Sequence, residues 1–275
     1  MNFKDKLIKA ALSNKSWLCV GLDPDTSKLP TNVDKSTTGI SQFLKNVIDT
    51  TKDLVCAYKP NSAFYEQFGA DGINLLKEII DYIPAKIPVI LDAKRGDIGN
   101  TSRMYAVAAF EHLGVDALTV NPYMGYDCVK PFLDYKDKGV VILCLTSNPS
   151  SNDFQKRPLT VGDNEPAMLY QLVAKTALAW NENDNVCLVI GATKPEELGE
   201  LRKLVGDDIP ILIPGVGAQG GDLESSLKNG SNAKGQLAII NVSRSVLYVS
   251  TDDDYAARSR ANALELVSKI RGLLF

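Results

Sequence analysis

Short runs rich in β-branched and other apolar residues recur along the chain, and segments with helical periodicity separate them. We predict strands at eight such runs, which span residues 16–22, 54–59, 87–93, 116–121, 139–146, 185–192, 209–215 and 237–243. Strands that alternate with helices favour a parallel sheet, because a parallel pair needs a long crossover connection. Eight such units in roughly 250 residues match the size of a (β/α)8 barrel, although a doubly wound open sheet has the same alternation. The sequence therefore predicts an α/β protein, a TIM barrel that occupies residues 1–275 as a single domain.

Two segments lie outside this alternation. The first 16 residues carry a helix-like apolar stripe without an uninterrupted apolar run, which predicts a short N-terminal docking helix and not a signal peptide. Residues 147–166 are polar and rich in Ser, Asn, Asp and Pro, which predicts a long loop after strand 5. Loops of that length inside a compact domain are usually lids or disordered insertions. The N-terminal stripe consists of Phe3, Leu7, Ile8, Ala11 and Leu12.

The composition argues against a nucleic-acid or membrane partner. The chain has 30 Lys and Arg residues against 33 Asp and Glu residues, a formal net charge of -3, so no basic field attracts a polyanion. Its longest apolar stretches are about six residues, far below the roughly 18 that suggest a membrane span. The five cysteines form no CxxC pair and lie mostly in apolar runs, which indicates a reducing, cytoplasmic location. The single histidine, His112, excludes a multi-histidine metal site.

Polar residues follow nearly every predicted strand where it ends. They are Asp23, Lys59, Asn61, Asp92, Lys94, Asn121, Thr146, Ser147, Thr193, Gln219, Ser243 and Arg244. In a barrel the carboxyl ends of all the strands open onto one face, and the chemistry collects on that face. We therefore expect the functional site there.

The segment DAKRGD, residues 92–97, concentrates charge at the end of the third strand. In an extended chain Asp92 and Lys94 project to the same side, and Gly96 lets Asp97 turn back toward them. A lysine flanked by acids keeps its proton, so it suits a general acid better than a nucleophile. The pattern predicts one ammonium group among carboxylates at the mouth of the barrel.

The segment IPGVGAQGGD, residues 213–222, follows the seventh strand with four glycines. Backbone N–H groups of such a turn can converge on an anion, and Arg244 after the eighth strand adds donors that suit phosphate. Loops seven and eight of barrels commonly bind phosphate. Glycines at this spacing are also typical of tight turns. Together with Gln219 and Arg244, the segment predicts a phosphate site.

At these residues the chain resembles the orotidine 5′-phosphate decarboxylase family in its longer bacterial-type version. The resemblance extends over essentially the whole chain, and its most specific motif is LDAKRGDIGNTS at 91–102. The other matching segments are CVGLDPD (19–25), AYKPNSAFYEQFG (57–69), TVNPYMG (119–125), CLTSNPS (144–150), PGVGAQGGD (214–222) and NVSRS (241–245). The resemblance implies a homodimer of (β/α)8 barrels that converts orotidine 5′-phosphate to UMP in pyrimidine biosynthesis, without a metal or an organic cofactor.

The resemblance also implies a network of charged residues around the end of the third strand. Lys59, Asp92, Lys94 and Asp97 would form a charged network in which Lys94 protonates C6 of the pyrimidine ring. Asp97 and Thr101 would come from the partner subunit of the dimer, with Asp97 beside Lys94 and Thr101 near the ribose. Each active site would therefore need two chains.

A second set of residues would bind the nucleotide, again by resemblance. Asp23 and Lys59 would contact the ribose hydroxyls, and Ser147 would contact the edge of the pyrimidine. The phosphate would be held by Gln219, Arg244 and the backbone around Gly217.

Three other functions are compatible with parts of the pattern. A metal-dependent phosphosugar decarboxylase of similar fold also carries DxKxxD, but its second strand should end in an acidic metal ligand, where this chain has Lys59. An aldolase would form a Schiff base with Lys59 or Lys94. A noncatalytic nucleotide-binding barrel would bind UMP without any reaction.

Overall fold

The computed structural model describes residues 1–162, 165–217 and 219–275. Eight parallel strands form one sheet: β1 (Leu18–Gly21), β2 (Ala57–Lys59), β3 (Ile90–Arg95), β4 (Ala117–Val120), β5 (Gly139–Leu145), β8 (Val186–Ile190), β9 (Ile211–Pro214) and β10 (Ala238–Val242). Their order in the sheet is β2-β1-β10-β9-β8-β5-β4-β3. Parallel bridges between Tyr58 and Val89 and between Asn61 and Asp92 join the two edge strands. The sheet is therefore a nearly closed barrel, and all eight predicted strands are confirmed.

Helices connect the strands and surround the barrel. They are α1 (Phe3–Asn14), α2 (Thr37–Thr51), α3 (Ala63–Glu66), α4 (Gly69–Tyr82), α5 (Gly99–Val107), α6 (Tyr126–Leu133), α7 (Leu169–Ala179), α8 (Pro195–Val205), α9 (Leu223–Gly230), α10 (Arg244–Leu247) and α11 (Tyr255–Leu274). A π-helical turn, Ala108–Leu113, continues α5. No helix in the described part of the chain is long and apolar enough to cross a membrane.

The N-terminal helix α1 closes the bottom of the barrel, as the apolar stripe predicts. Phe3, Leu7 and Ala11 pack with the inward-facing strand residues in one buried cluster. The prediction is wrong for Leu12, which is exposed, whereas Ala10 is buried. The buried face is therefore rotated slightly from the stripe that the sequence suggests.

The segment between β5 and α7 has more secondary structure than the predicted loop. It contains a 3-10 helix, Pro149–Asp153, and two antiparallel strands, β6 (Pro158–Val161) and β7 (Glu165–Met168). Each of these elements is only four or five residues long, so no periodic pattern in the sequence reveals it.

All five cysteines are buried and unpaired, in agreement with the sequence prediction. Burial raises the pKa of Cys19 and of Cys144 to about 12, so both thiols stay neutral at physiological pH. The cysteines therefore act as core residues.

Candidate active site

A cavity of about 370 Å³ opens at the carboxyl ends of the barrel strands. The strand-end residues that line it are Asp23, Lys59, Asn61, Asp92, Lys94, Thr146, Ser147, Gln219, Ser243 and Arg244. Its floor is apolar and includes Leu143, Val189 and Leu212. The structure thus brings residues from both ends of the chain together on the face that the sequence predicts.

Asp92 lies between two lysines at the mouth of the barrel. Its Oδ2 atom accepts a hydrogen bond from Nζ of Lys59 at 2.9 Å, and its Oδ1 atom accepts one from Nζ of Lys94 at 2.7 Å. Asn61 donates a further hydrogen bond to Oδ2 at 3.2 Å. Both oxygens of the carboxylate are therefore engaged, which fixes its orientation.

The two lysines differ sharply in their exposure. The Lys59 side chain is 4% exposed, whereas that of Lys94 is 49% exposed. Burial alone would lower the pKa of Lys59, but the attraction of Asp92 and Asp23 outweighs it and raises that pKa above the ordinary lysine value. Burial would raise the pKa of Asp92, but the two lysines hold it below its usual range. Lys59 is thus a fixed buried cation on the cavity wall, and Lys94 is the more exposed of the two lysines.

Asp92 and Lys94 do not meet through simple strand alternation. Lys94 has a φ of 47°, which is the left-handed region, and the register of β3 against β4 shifts between Leu91 and Arg95. The strand therefore bulges at this point, and the bulge turns Lys94 toward Asp92. A regular extended strand would not have this geometry.

Replacing Asp92 with asparagine should destabilise the protein strongly. The substitution leaves the buried ammonium of Lys59 without its principal partner, and breaking a buried ion pair on one side costs about 3–5 kcal/mol. The free energy of unfolding in urea measures this loss. The exposed residue Asp134 pairs with Lys130, and Asp134→Asn should leave the free energy of unfolding nearly unchanged. Equal free energies of unfolding for Asp92→Asn and the wild type would contradict the claim that Asp92 stabilises the buried ammonium of Lys59.

Asp23 lies beside the same cluster. Its Oδ1 atom accepts a hydrogen bond from the backbone N–H of Asn61 at 3.0 Å. The hydroxyl of Tyr248 donates to the backbone carbonyl of Asp23 at 2.6 Å and is 2.6 Å from the backbone nitrogen of Asp25. Tyr248 therefore holds the loop after β1 at the rim of the cavity.

Ser147 and Gln219 meet on the opposite side of the cavity. The hydroxyl of Ser147 donates to Oε1 of Gln219 at 2.6 Å. The backbone of Ser147 packs closely against Gly191, and only a glycine fits there, because a Cβ atom would lie 2.7 Å from the backbone nitrogen of Ser147. The contact joins the segment after β5 to the glycine-rich turn after β9.

The glycine-rich turn is less open to an anion than the sequence suggests. The N–H group of Gly217 already donates to the carbonyl of Gly221 at 2.9 Å, and the N–H of Gly221 donates to Gly215 at 3.0 Å. Gly217 has a φ of 73°, which a residue with a side chain rarely adopts. Side-chain donors of Gln219 and Arg244 therefore reach the cavity more directly than the Gly217 amide.

Gly217 does not line this cavity, and neither do two further predicted site residues, Asp97 and Thr101. The Oδ1 atom of Asp97 accepts a hydrogen bond from the backbone N–H of Ile98 at 2.7 Å, and Thr101 is exposed on α5. The turn at Gly96 thus does not return Asp97 to Lys94 within one chain. Any role of these two residues at the cavity requires a second chain.

Two polar residues that line the cavity from inside a strand are missing from the sequence-based set. Thr119, inside β4, bonds to both Asp92 and Lys94. Asn241, inside β10, is 8% exposed, and its Oδ1 atom has no hydrogen-bond partner among the residues that the structure describes. Both side chains sit at inward strand positions where an apolar residue is usual, and that is the signal that could have identified them.

The acidic and cysteine residues of the described ranges form no group of three or more His, Cys, Asp or Glu side chains arranged to hold a metal ion. A metal-dependent phosphosugar decarboxylase would need an acidic ligand at the end of β2. The residue at this position is Lys59, whose ammonium repels a divalent cation.

Comparison with known proteins assigns the family. The sequence model described as the orotidine 5′-phosphate decarboxylase / HUMPS family matches residues 16–259. An orotidine 5′-phosphate decarboxylase from Herpetosiphon aurantiacus is 51% identical over 258 residues, which cover 94% of each chain. The solved OMP decarboxylase of Leishmania donovani has a TM-score of 0.87 and 43% identity over 100% of both chains. The chain therefore belongs to the orotidine 5′-phosphate decarboxylase / HUMPS family.

Proposed function

We propose that the protein decarboxylates orotidine 5′-phosphate to UMP in pyrimidine biosynthesis, without a metal or an organic cofactor. The chain belongs to the orotidine 5′-phosphate decarboxylase / HUMPS family, and the relatives that it resembles over nearly their whole length carry the name orotidine 5′-phosphate decarboxylase. The observation that carries the proposal is the exposed ammonium of Lys94, fixed by Asp92 at the mouth of the barrel.

The cavity offers separate groups for each part of the nucleotide. Gln219 and Arg244 would bind the phosphate, because a guanidinium group matches its oxygens well. Asp23, after β1, and Lys59, at the end of β2, line the same cavity and would bind the ribose hydroxyls. Ser147 would contact the pyrimidine edge. This arrangement would direct C6 of the ring toward Lys94.

The reaction would proceed through a carbanion at C6. The bond between C6 and the carboxylate carbon breaks, CO2 leaves, and the electron pair stays on C6. The ammonium of Lys94 stabilises this negative charge and then transfers its proton to C6, which forms the new C–H bond. Asp92 keeps the donor in place, and the resulting amine is reprotonated from solvent.

No single contact supplies the whole rate enhancement. A substrate carboxylate about 4 Å from an Asp side chain is repelled by about 4 kcal/mol at an effective dielectric constant near 20. Enzymes lower activation barriers by up to about 23 kcal/mol in most extreme cases. The repulsion between the two carboxylates would therefore supply only part of the rate enhancement. The larger part would come from Lys94 and from binding energy of the phosphate. A phosphate bound at Gln219 would close the segment that begins at Ser147 over the cavity, because the side chains of Ser147 and Gln219 hydrogen-bond to each other.

A homodimer with shared sites would complete the network. The face formed by α5 and the loop between β4 and α6 exposes several large apolar side chains, which is typical of a surface that a partner covers. They are Ile98, Met104, Tyr105, Tyr123 and Met124, of which Tyr123 is 83% exposed. Asp97 and Thr101 adjoin this face. A second copy bound there would bring Asp97 to Lys94 and Thr101 to the ribose of the other subunit.

Five buried free cysteines support a reducing, cytoplasmic location for the enzyme.

We also propose that residues 1–275 fold as a single domain. The buried cluster inside the barrel includes residues from α1 at one end of the chain and from β10 near the other.

The absorbance of orotidine 5′-phosphate offers a direct assay of the proposed function. The purified protein should remove this absorbance and release UMP at the same rate with and without EDTA. Loss of activity in EDTA would favour the metal-dependent alternative. UMP binding without any change in substrate absorbance would favour a noncatalytic barrel, and borohydride trapping of a substrate adduct would favour an aldolase.

A further inference from the structure

The bulge in β3 lies directly opposite Thr119 of β4. Leu91 pairs with Leu118 and Arg95 pairs with Val120, so the chain takes four steps along β3 while β4 takes two. Lys94 lies inside this bulge with a φ of 47°. A residue with a side chain adopts such a conformation only where its surroundings hold it there.

Thr119 makes two hydrogen bonds into the bulge. Its hydroxyl accepts from the backbone N–H of Lys94 at 2.9 Å, and it donates to Oδ1 of Asp92 at 3.1 Å. The same Oδ1 atom receives the ammonium of Lys94 at 2.7 Å. Thr119 therefore holds Lys94 at both ends, directly at the backbone and through Asp92 at the ammonium.

The surroundings of Thr119 make this hydroxyl hard to replace. The residue is 1% exposed, and the cavity wall beside it includes the apolar Leu143 and Val189. Removing the threonine hydroxyl would take away the protein partner of the part-buried Lys94 N–H group and would free the bulged backbone there. A valine has nearly the same shape but can neither accept nor donate these hydrogen bonds.

We propose that Thr119 is a positioning residue for Lys94, and that its hydroxyl maintains the bulged backbone and the orientation of Asp92 that direct the ammonium at the substrate. This inference rests on the proposed function, because it assigns Lys94 a reacting partner. A proton donor displaced by about 1 Å can lose on the order of 100-fold in rate.

Two substitutions at Thr119 test the proposal. Thr119→Val should lower kcat for orotidine 5′-phosphate by about 10- to 100-fold, while its KM and the Kd for UMP change by less than about threefold. The reason is that Gln219 and Arg244, the residues proposed to bind the phosphate, follow β9 and β10, which do not flank the strand that carries Thr119. Thr119→Ser keeps the hydroxyl and should retain kcat within about threefold. If Thr119→Val does not fold, Thr119→Ala carries the same expectation.

Thr51 provides a matched control. Its hydroxyl is also fully buried and bonds to the carbonyl of Val47 and to the hydroxyl of Tyr58, outside the cavity. Thr51→Val should lower the Tm but leave kcat unchanged. A Thr119→Val enzyme with wild-type kcat, or a Thr119→Ser enzyme as slow as Thr119→Val, would overturn the role of Thr119. Failure of the wild type itself to decarboxylate would instead overturn the proposed function.

Discussion

Replacing Lys94 with alanine is expected to lower kcat by at least about 10⁴-fold. The substitution removes both the charge that stabilises the carbanion and the proton that neutralises it, and each effect alone is commonly worth 10² or more. The Kd for UMP should change by less than about tenfold, because the residues proposed to bind the phosphate follow β9 and β10, which do not neighbour β3 in the barrel. Single-turnover rates from substrate absorbance, with UMP binding by calorimetry, measure both quantities.

An exposed lysine gives the control for this experiment. Lys77 on α4 pairs with Asp81 at the surface and does not line the cavity. Lys77→Ala should keep the wild-type kcat. Near-normal turnover in Lys94→Ala would remove Lys94 from the mechanism, whatever the control shows.

Two inactive variants are expected to restore activity when they share a dimer. Lys94→Ala and Asp97→Ala should each be at least about 100-fold slower than the wild type as homodimers. In a heterodimer of the two, one site combines both substitutions and the other site has neither. Heterodimers purified through two different affinity tags should therefore show about half the wild-type activity.

The pairing of Asp92 and Lys94 within one chain supplies the matched control for the heterodimer. These two side chains bond to each other in the same subunit, so a heterodimer of Lys94→Ala with Asp92→Asn has one damaged residue in each site. It should stay inactive. An inactive Lys94→Ala/Asp97→Ala heterodimer would contradict the shared site.

The strands and the location of the site follow from simple sequence patterns. The eight apolar runs each have the length and β-branched content of a buried strand, so the barrel is predictable. Because all strand ends meet at one face, the polar residues that follow them identify the cavity. Asp92 and Lys94 lie together there, although through a bulge and not through simple strand alternation, and Ser147 contacts Gln219, a pairing that the sequence did not predict.

Details of backbone geometry could not be predicted in the same way. The bulge in β3 depends on the register with β4, and the sequence pattern of a single strand carries no information about that register. Thr119 resembles an ordinary β-forming residue in the sequence ALTVN, so its contacts with Lys94 are invisible before folding. Asp97 does not line the cavity with Lys94 of its own chain, and its carboxylate instead accepts a hydrogen bond from the backbone N–H of Ile98.

The structure of the protein with UMP bound tests the central claim most directly. The claim is that the ammonium of Lys94 meets the ring carbon from which CO2 departs. We expect Nζ of Lys94 about 3–3.5 Å from C6, with the phosphate between Gln219 and Arg244. A complex in which Nζ pointed away from the base, with C6 facing any other part of the cavity, would contradict the mechanism.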